Sequence, residues 1–217
     1  MIYELLLRNI SNTVIDAKQL NAGSLAEFRV GYPFRGAITP VAGGSVAVIQ
    51  MKDVSAASVP NWDAVVRTEL PGRREPDWLE RGDILFIARG SRYYAAALEA
   101  VPHKTVCGPH LYHLRLKRGD IILPKFLAWQ MNQTPIQRLL RQAAEGSNQL
   151  SIRRAEIEAL PISVPSLVIQ EQVLRMAQAA ARERNLLTQL IINRERQLSA
   201  LAFALAEAAD RSNTSNT

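Results

Sequence analysis

The sequence contains a single cysteine, Cys107, so no intrachain disulfide can form and a disulfide-stapled scaffold is excluded. It shows no signal-peptide pattern and no apolar run of membrane-spanning length, which points to the cytoplasm. No glycine-rich loop of the dinucleotide or P-loop kind opens a helix, and no Asn-Pro-Pro-Tyr or Asp-Pro-Pro-Tyr tetrapeptide of the amino-methyltransferase type occurs. From Ser166 to Asp210 glycine and proline are both missing. The Leu, Ala, Gln, Arg and Glu that fill this stretch lose little on entering a helix, so one long helix is expected.

Within that helix, apolar or small residues recur at Ile169, Val173, Met176, Ala180, Leu187, Ile191, Leu198, Leu201 and Leu205, mostly at steps of four and three. This is a coiled-coil seam, interrupted by Glu183 and Arg194. At 1.5 Å per residue the stretch would run about 65 Å, longer than a domain of this size needs, so it is expected to meet another helix.

The remainder can bury one substantial core, since 47% of the 217 residues are hydrophobic and 21% are charged, which excludes disorder and a fibrous repeat. The organisation expected is a domain over 1–165, the helix over 166–211 and a disordered polar tail over 212–217. Basic residues outnumber acids 26 to 20. Between Leu85 and Arg118 stand Arg89, Arg92, Lys104, Arg115, Lys117 and Arg118 against Glu99 alone, whereas the final helix is nearly balanced. A basic face on the globular part suggests a polyanionic partner, with a solvated surface as the plain alternative.

Along the chain, residues 1–30 read as an uninformative opening followed by polar connection, and 31–44 as loop and turn, with Pro33, Gly36, Pro40, Gly43 and Gly44 close together. Short strand candidates follow at SVAVIQMKDV, DAVVRTEL, ILFIARG, RYYAAALEA, KTVCG and HLYHLRLK. Helices are expected from Pro124 and from Thr134-Pro135, the second closed by Gly146, with a short helical turn capped by Ser151 and a proline-bounded linker, LPISVPS, before the long helix. The fold class is therefore α+β: a curved or barrel-like mixed β domain with small helices, followed by one long C-terminal coiled-coil helix.

Gly31-Tyr32-Pro33-Phe34-Arg35-Gly36, Val48 to Val54, and Gly82-Asp83-Ile84-Leu85-Phe86 with Arg89-Gly90 resemble the successive landmarks of a target-recognition domain. The later landmarks are similar as well: Leu123-Pro124, Gly146-Ser147-Asn148-Gln149, Ile157 to Pro161, and Pro165-Ser166-Leu167 leading to Gln170-Glu171-Gln172. The family resembled is the DNA-specificity (S) subunit of type I restriction-modification systems, over about residues 30–205 and in a half-length form with one recognition domain and one long helix. The resemblance implies a non-catalytic subunit of a phage-defence system. It would bind double-stranded DNA and bring a DNA adenine methyltransferase to its site, with a restriction subunit as a further partner. No cofactor is implied on this chain; S-adenosylmethionine would sit on the methyltransferase.

Enzyme readings are weaker. His110 and His113 stand three apart, which in a strand places them on opposite faces and disfavours a metal site. Cys107 in an apolar run reads as a small buried hydrophobe, Asp83 as a turn residue before a strand, and Pro76-Asp77 as a turn. For DNA, Arg89, Arg92, Tyr93 and Tyr94 are the first candidates because they surround a tight Gly-Ser connection. Arg73, Arg74, Lys104, Lys117, Arg118, Arg35 and Lys52 form a second set. Each has a plain reading as solvated surface, or for the tyrosines as a strand pair with one ring in the core. By the resemblance, a half-length chain would restore a twofold through a homodimer of antiparallel helices, with the seam from Ile169 to Leu205 as interface. Its target would be a split palindrome with half-sites about 15 base pairs apart. The alternative from another class is a scaffold or decoy that pairs with a methyltransferase or another specificity subunit without reading sequence.

Overall fold

The structure is a computed structural model that describes residues 16–54, 60–71, 75–90, 93–145 and 152–214. Two compact units divide it, Met1–Leu174 and Arg175–Thr217. In the first, strands β1 (Ala17–Asn21), β2 (Ala26–Val30), β3 (Val46–Ile49), β4 (Val66–Thr68), β5 (Ile84–Ile87), β6 (Tyr94–Ala97), β7 (Thr105–Cys107) and β8 (Leu111–Leu116) follow in order. A four-residue helix α1 (Ala22–Leu25) lies between β1 and β2, and a 3-10 turn, Met51–Asp53, follows β3. Helices α2 (Pro124–Met131), α3 (Thr134–Glu145) and α4 (Arg154–Glu158) come next, then β9 (Pro161–Pro165) and the long helix α5 (Leu167–Thr214).

The strands form three sheets and no closed barrel among the described residues: β2-β8-β5-β6, all antiparallel; β4-β3-β7, with β3 and β7 parallel; and the pair β1-β9. The α+β class with a long C-terminal helix therefore holds, while the barrel-like expectation gives way to separate packed sheets. The physical reason lies in β5. Its four residues, Ile-Leu-Phe-Ile, are buried on both faces. Ile84 and Phe86 join the core under α2 and α3, whereas Leu85 and Ile87 pack with Ala47, Ile49 and Cys107 between the two larger sheets. A strand covered on both sides belongs to a layered sheet and reads as a continuous apolar run.

Two sequence expectations change here. Residues 17–21, expected as polar connection, and LPISVPS, expected as a linker, pair with each other in the antiparallel β1-β9 ribbon, Ala17 opposite Pro165 and Asn21 opposite Pro161. The prolines stand at the two ends of β9, where a missing N–H is tolerated on an edge strand. The landmark at Gly146–Gln149, the cap at Ser151 and the opening decapeptide lie outside the described residues.

Helix α5 begins inside the first unit. Gln170 is fully buried there: its Oε1 accepts from Leu123 N–H at 2.9 Å, and its Nε2 donates to the carbonyls of Ile121 at 2.7 Å and Pro165 at 2.8 Å. Val173 and Leu174 pack against the larger core. The second unit is the continuation of this helix, carried to Thr214 where the sequence reading stopped at Arg211.

Candidate nucleic-acid interface

Strand register sorts the candidate cations onto two opposite rims. Val30 pairs with Tyr112, Leu111 with Ile87, and Ile87 with Tyr94, so the end of β2, the start of β8, the end of β5 and the start of β6 share one rim. The ends of β3 and β7 reach the same place, since Ile49 pairs with Cys107 and Gly108 N–H donates to the Ile49 carbonyl at 2.7 Å. The loop that follows β2 is pressed onto this rim. Gly31 N–H donates to Leu111 and Tyr32 N–H to Cys107, and a side chain at Gly31 would meet the Gly108 carbonyl at 2.0 Å. That close approach is why glycine opens the Gly-Tyr-Pro-Phe stretch.

On this rim stand Arg35, Lys52 and Arg89, all exposed. Arg89 is followed by Gly90 at φ 94° and meets His110, whose own φ is 73°; Nη1 lies 3.2 Å from His110 Nδ1 and 3.3 Å from Nε2. A fourth cation was missed by the sequence reading. Ile152 N–H donates to the Ala88 carbonyl at 2.9 Å, which brings exposed Arg153 beside the end of β5. The available signal was Arg153-Arg154 at a helix start, where the macrodipole disfavours cations. Among the described residues none of Arg35, Lys52, Arg89 and Arg153 has a carboxylate partner.

Lys104, Lys117 and Arg118 lie on the other rim and are each engaged. Lys104 stands 5.6 Å from the centre of the Trp78 ring, Lys117 Nζ donates to the Gly23 carbonyl at 3.0 Å, and Arg118 forks onto Asp120 at 3.0 and 3.1 Å. Arg118 is thereby held protonated and Asp120 ionised, the shared hydrogen bond being the main cause in both. The two tyrosines do not serve as exposed stacking groups. Tyr93 is 8% exposed and belongs to the larger core, and Tyr94 packs against the second core with its hydroxyl donating to the Val54 carbonyl. Strand alternation sends the two rings to opposite faces, both covered. Arg73, Arg74 and Arg92 lie outside the described residues.

The concavity beside β2, about 510 Å³, is lined by Glu27, Glu75 and Asp77 as well as Arg29 and Arg154. Arg29 is consumed by Glu27 at 2.8 Å and Asp77 at 3.0 Å, so this cleft does not favour phosphate. Cys107 is buried, and burial pushes its thiol up to about 12, which leaves it protonated and inert. No metal-binding cluster occurs among the described residues, and no described helix is long and apolar enough to cross a membrane. Asp83, expected as a plain turn residue, is instead 3% exposed and carries an internal ion cluster: Arg115 donates to both its oxygens at 2.9 and 2.8 Å, and His113 Nε2 approaches to 2.8 Å.

Of the seam residues, Val173 packs against the larger core and Ile169 is half-buried in the first unit. In the second, Met176, Ala180, Leu187, Ile191, Leu198, Leu201 and Leu205 are exposed, joined by Leu186, Leu190 and Phe203.

No protein-family model and no curated protein matches the sequence. Solved structures do. The S subunit of a type I restriction-modification system from M. genitalium is 20% identical, with a TM-score of 0.54 over 85% of this chain and 44% of that one. A chain from a structure concerned with complex assembly and conformational transition of the type I R-M system is 15% identical, with a TM-score of 0.62 over 91% and 49%. The HsdS subunit from Thermoanaerobacter tengcongensis is 16% identical, with a TM-score of 0.55 over 84% and 45%. This chain thus spans less than half the length of each. Over that span, and with its strand series followed by a long helix, it has the fold of type I restriction-modification S subunits.

Proposed function

We propose that this chain is a non-catalytic DNA-specificity module. Its first unit reads a half-site, and its long helix joins a second copy and a DNA adenine methyltransferase, which carries S-adenosylmethionine. Where the system cuts, a restriction subunit is a further partner. The observation that carries this reading is the rim on which Arg35, Lys52, Arg89 and Arg153 converge without carboxylate partners among the described residues, while the cations of the opposite rim are already engaged. Cations left unneutralised at one edge of a rigid sheet are suited to phosphate and base edges; arginine forks match guanine and lysine neutralises phosphate. The likeness in fold to S subunits supports the same reading. A twofold assembly would read two inverted half-sites.

The test joins molar mass by light scattering with selection of bound duplexes from a random library at near-physiological salt, where nonspecific binding is weak. A mass twice that of the chain and an enriched split palindrome are expected. Arg89→Ala and Arg153→Ala should each weaken binding and reduce the slope of log affinity against log salt by about 1, whereas Lys104→Ala should leave the slope nearly unchanged. A protein that binds the methyltransferase but enriches no sequence would sink the reading in favour of a scaffold or decoy.

A further inference from the structure

The second unit offers one exposed apolar stripe, and the two charges inside it decide what can cover it. A seven-residue spacing places Leu187, Arg194 and Leu201 at one seam position and Met176, Glu183 and Leu190 at the other. Met176, Leu187, Leu190 and Leu201 are between 53% and 66% exposed, so the stripe presents apolar side chains that a partner could cover. Glu183 has no partner among the described residues, and Arg194 donates only to Gln197 of its own helix, at 3.0 Å. A seam that buried these two charges alone would carry a heavy desolvation cost, so the occupant must present an opposite charge to each.

We propose that the occupant is a second copy of this chain, antiparallel, with the twofold axis between Thr188 and Gln189. The inference rests on the homodimer reading above and fixes its register. About that axis Leu187 faces the copy's Leu190, Met176 faces Leu201, and Ala180 faces Gln197. Glu183 faces Arg194 in the same register. Each layer joins one seam position to the other, as an antiparallel coiled coil requires, and both charges are neutralised twice by symmetry. The competing registers fail on the same residues. Sliding by one heptad in either direction sets Glu183 against Leu187 or Leu201, and Arg194 against Met176 or Leu190. A parallel pair sets Glu183 against itself and Arg194 against itself. Only the register centred between Thr188 and Gln189 brings opposite charges together.

The experiment uses the full chain carrying Glu183→Cys, Arg194→Cys or both, under mild oxidation, with light scattering of the wild type alongside. Cys107 is buried and does not compete. The double variant is expected to give a covalent dimer. Neither single variant should, because identical positions lie about 16 Å apart along the axis, beyond disulfide reach. In solution, Glu183→Arg or Arg194→Glu should raise the dimer Kd by about tenfold or more, and the combined swap should restore it to within about threefold. A wild-type dimer in which a single cysteine cross-links is parallel, and one in which neither the double cysteine pairs nor the swap rescues has another register. Either result overturns the register while leaving the homodimer intact. A wild-type monomer overturns both.

Discussion

Asp83 shows how one residue can organise the domain's interior. Burial alone would push its carboxyl up, but the hydrogen bonds from Arg115 and the neighbouring His113 prevail and hold it at about 2, below the ordinary 3.8. Arg115 also donates to the Trp78 carbonyl at 2.8 Å, and Glu80 N–H donates back to Asp83 at 2.7 Å, so the cluster ties β8 to the turn before β5. A folded pKa below the unfolded one contributes stability that is present above pH ~4 and lost as pH falls toward 2, here about 2 kcal/mol. Asp83→Asn should lower unfolding stability at pH 7 by about 2–3 kcal/mol, because Arg115 loses its buried counter-charge. It should also flatten the fall in urea midpoint between pH 4 and pH 2. An unchanged acid profile in the variant would show that other carboxylates govern acid unfolding. The sequence displayed Gly82-Asp83 as a turn because its partners lie some thirty residues away on another strand. His113 and Arg115, two apart in β8, share one face, and that alternation was the legible half of the cluster. Tyr93 and Tyr94 misled for a related reason. A cation-aromatic cluster at a tight turn looks like a binding motif until the sheet covers both rings.

Among the elements, those with a strong local signal were legible and those that depend on a distant partner were not. The apolar run of β5 and the proline-opened α2 were visible because propensity and burial agree within a few residues. The β1-β9 ribbon was hidden because its two strands are about 140 residues apart, polar on one side and bounded by prolines. Helix α5 was visible from composition, but its anchoring was not, since Gln170 looks like any polar residue of a helix start. Its carboxamide nevertheless meets one N–H and two carbonyls that have to be satisfied where water is excluded. Gln170→Ala should therefore cost about 2–3 kcal/mol of unfolding stability, more than a surface glutamine. Gln170→Glu should be worse still at pH 7, because a buried carboxylate would face two carbonyls, and should partly recover as acid protonates it. Chemical denaturation of the two variants at pH 7 and pH 5 separates this account from one in which Gln170 is merely well packed. Simple packing would make the two similar at both values.

For the whole molecule, the proposal joins a cationic rim on the first unit to an apolar stripe on the second, and the two can be tested against each other. In a twofold dimer each seam substitution acts twice. Leu187→Ala or Leu201→Ala should therefore raise the dimer Kd by roughly tenfold to hundredfold, while Arg182→Ala, off the seam, should change it by no more than about threefold. Equal effects from all three would count against the assigned face. The same variants carry a sharper consequence for DNA. If two recognition units read one split site, tethering makes the second contact intramolecular, so specific affinity depends on the dimer. Leu187→Ala should then weaken binding to the full palindrome, although the residue lies far along the helix sequence from every rim cation, and leave binding to a single half-site nearly unchanged. Arg89→Ala should weaken both. Titration of the two duplexes at one salt concentration distinguishes the outcomes. A Leu187→Ala variant that keeps full affinity for the palindrome would mean that a single recognition unit carries the specificity, and that the apolar stripe serves another protein.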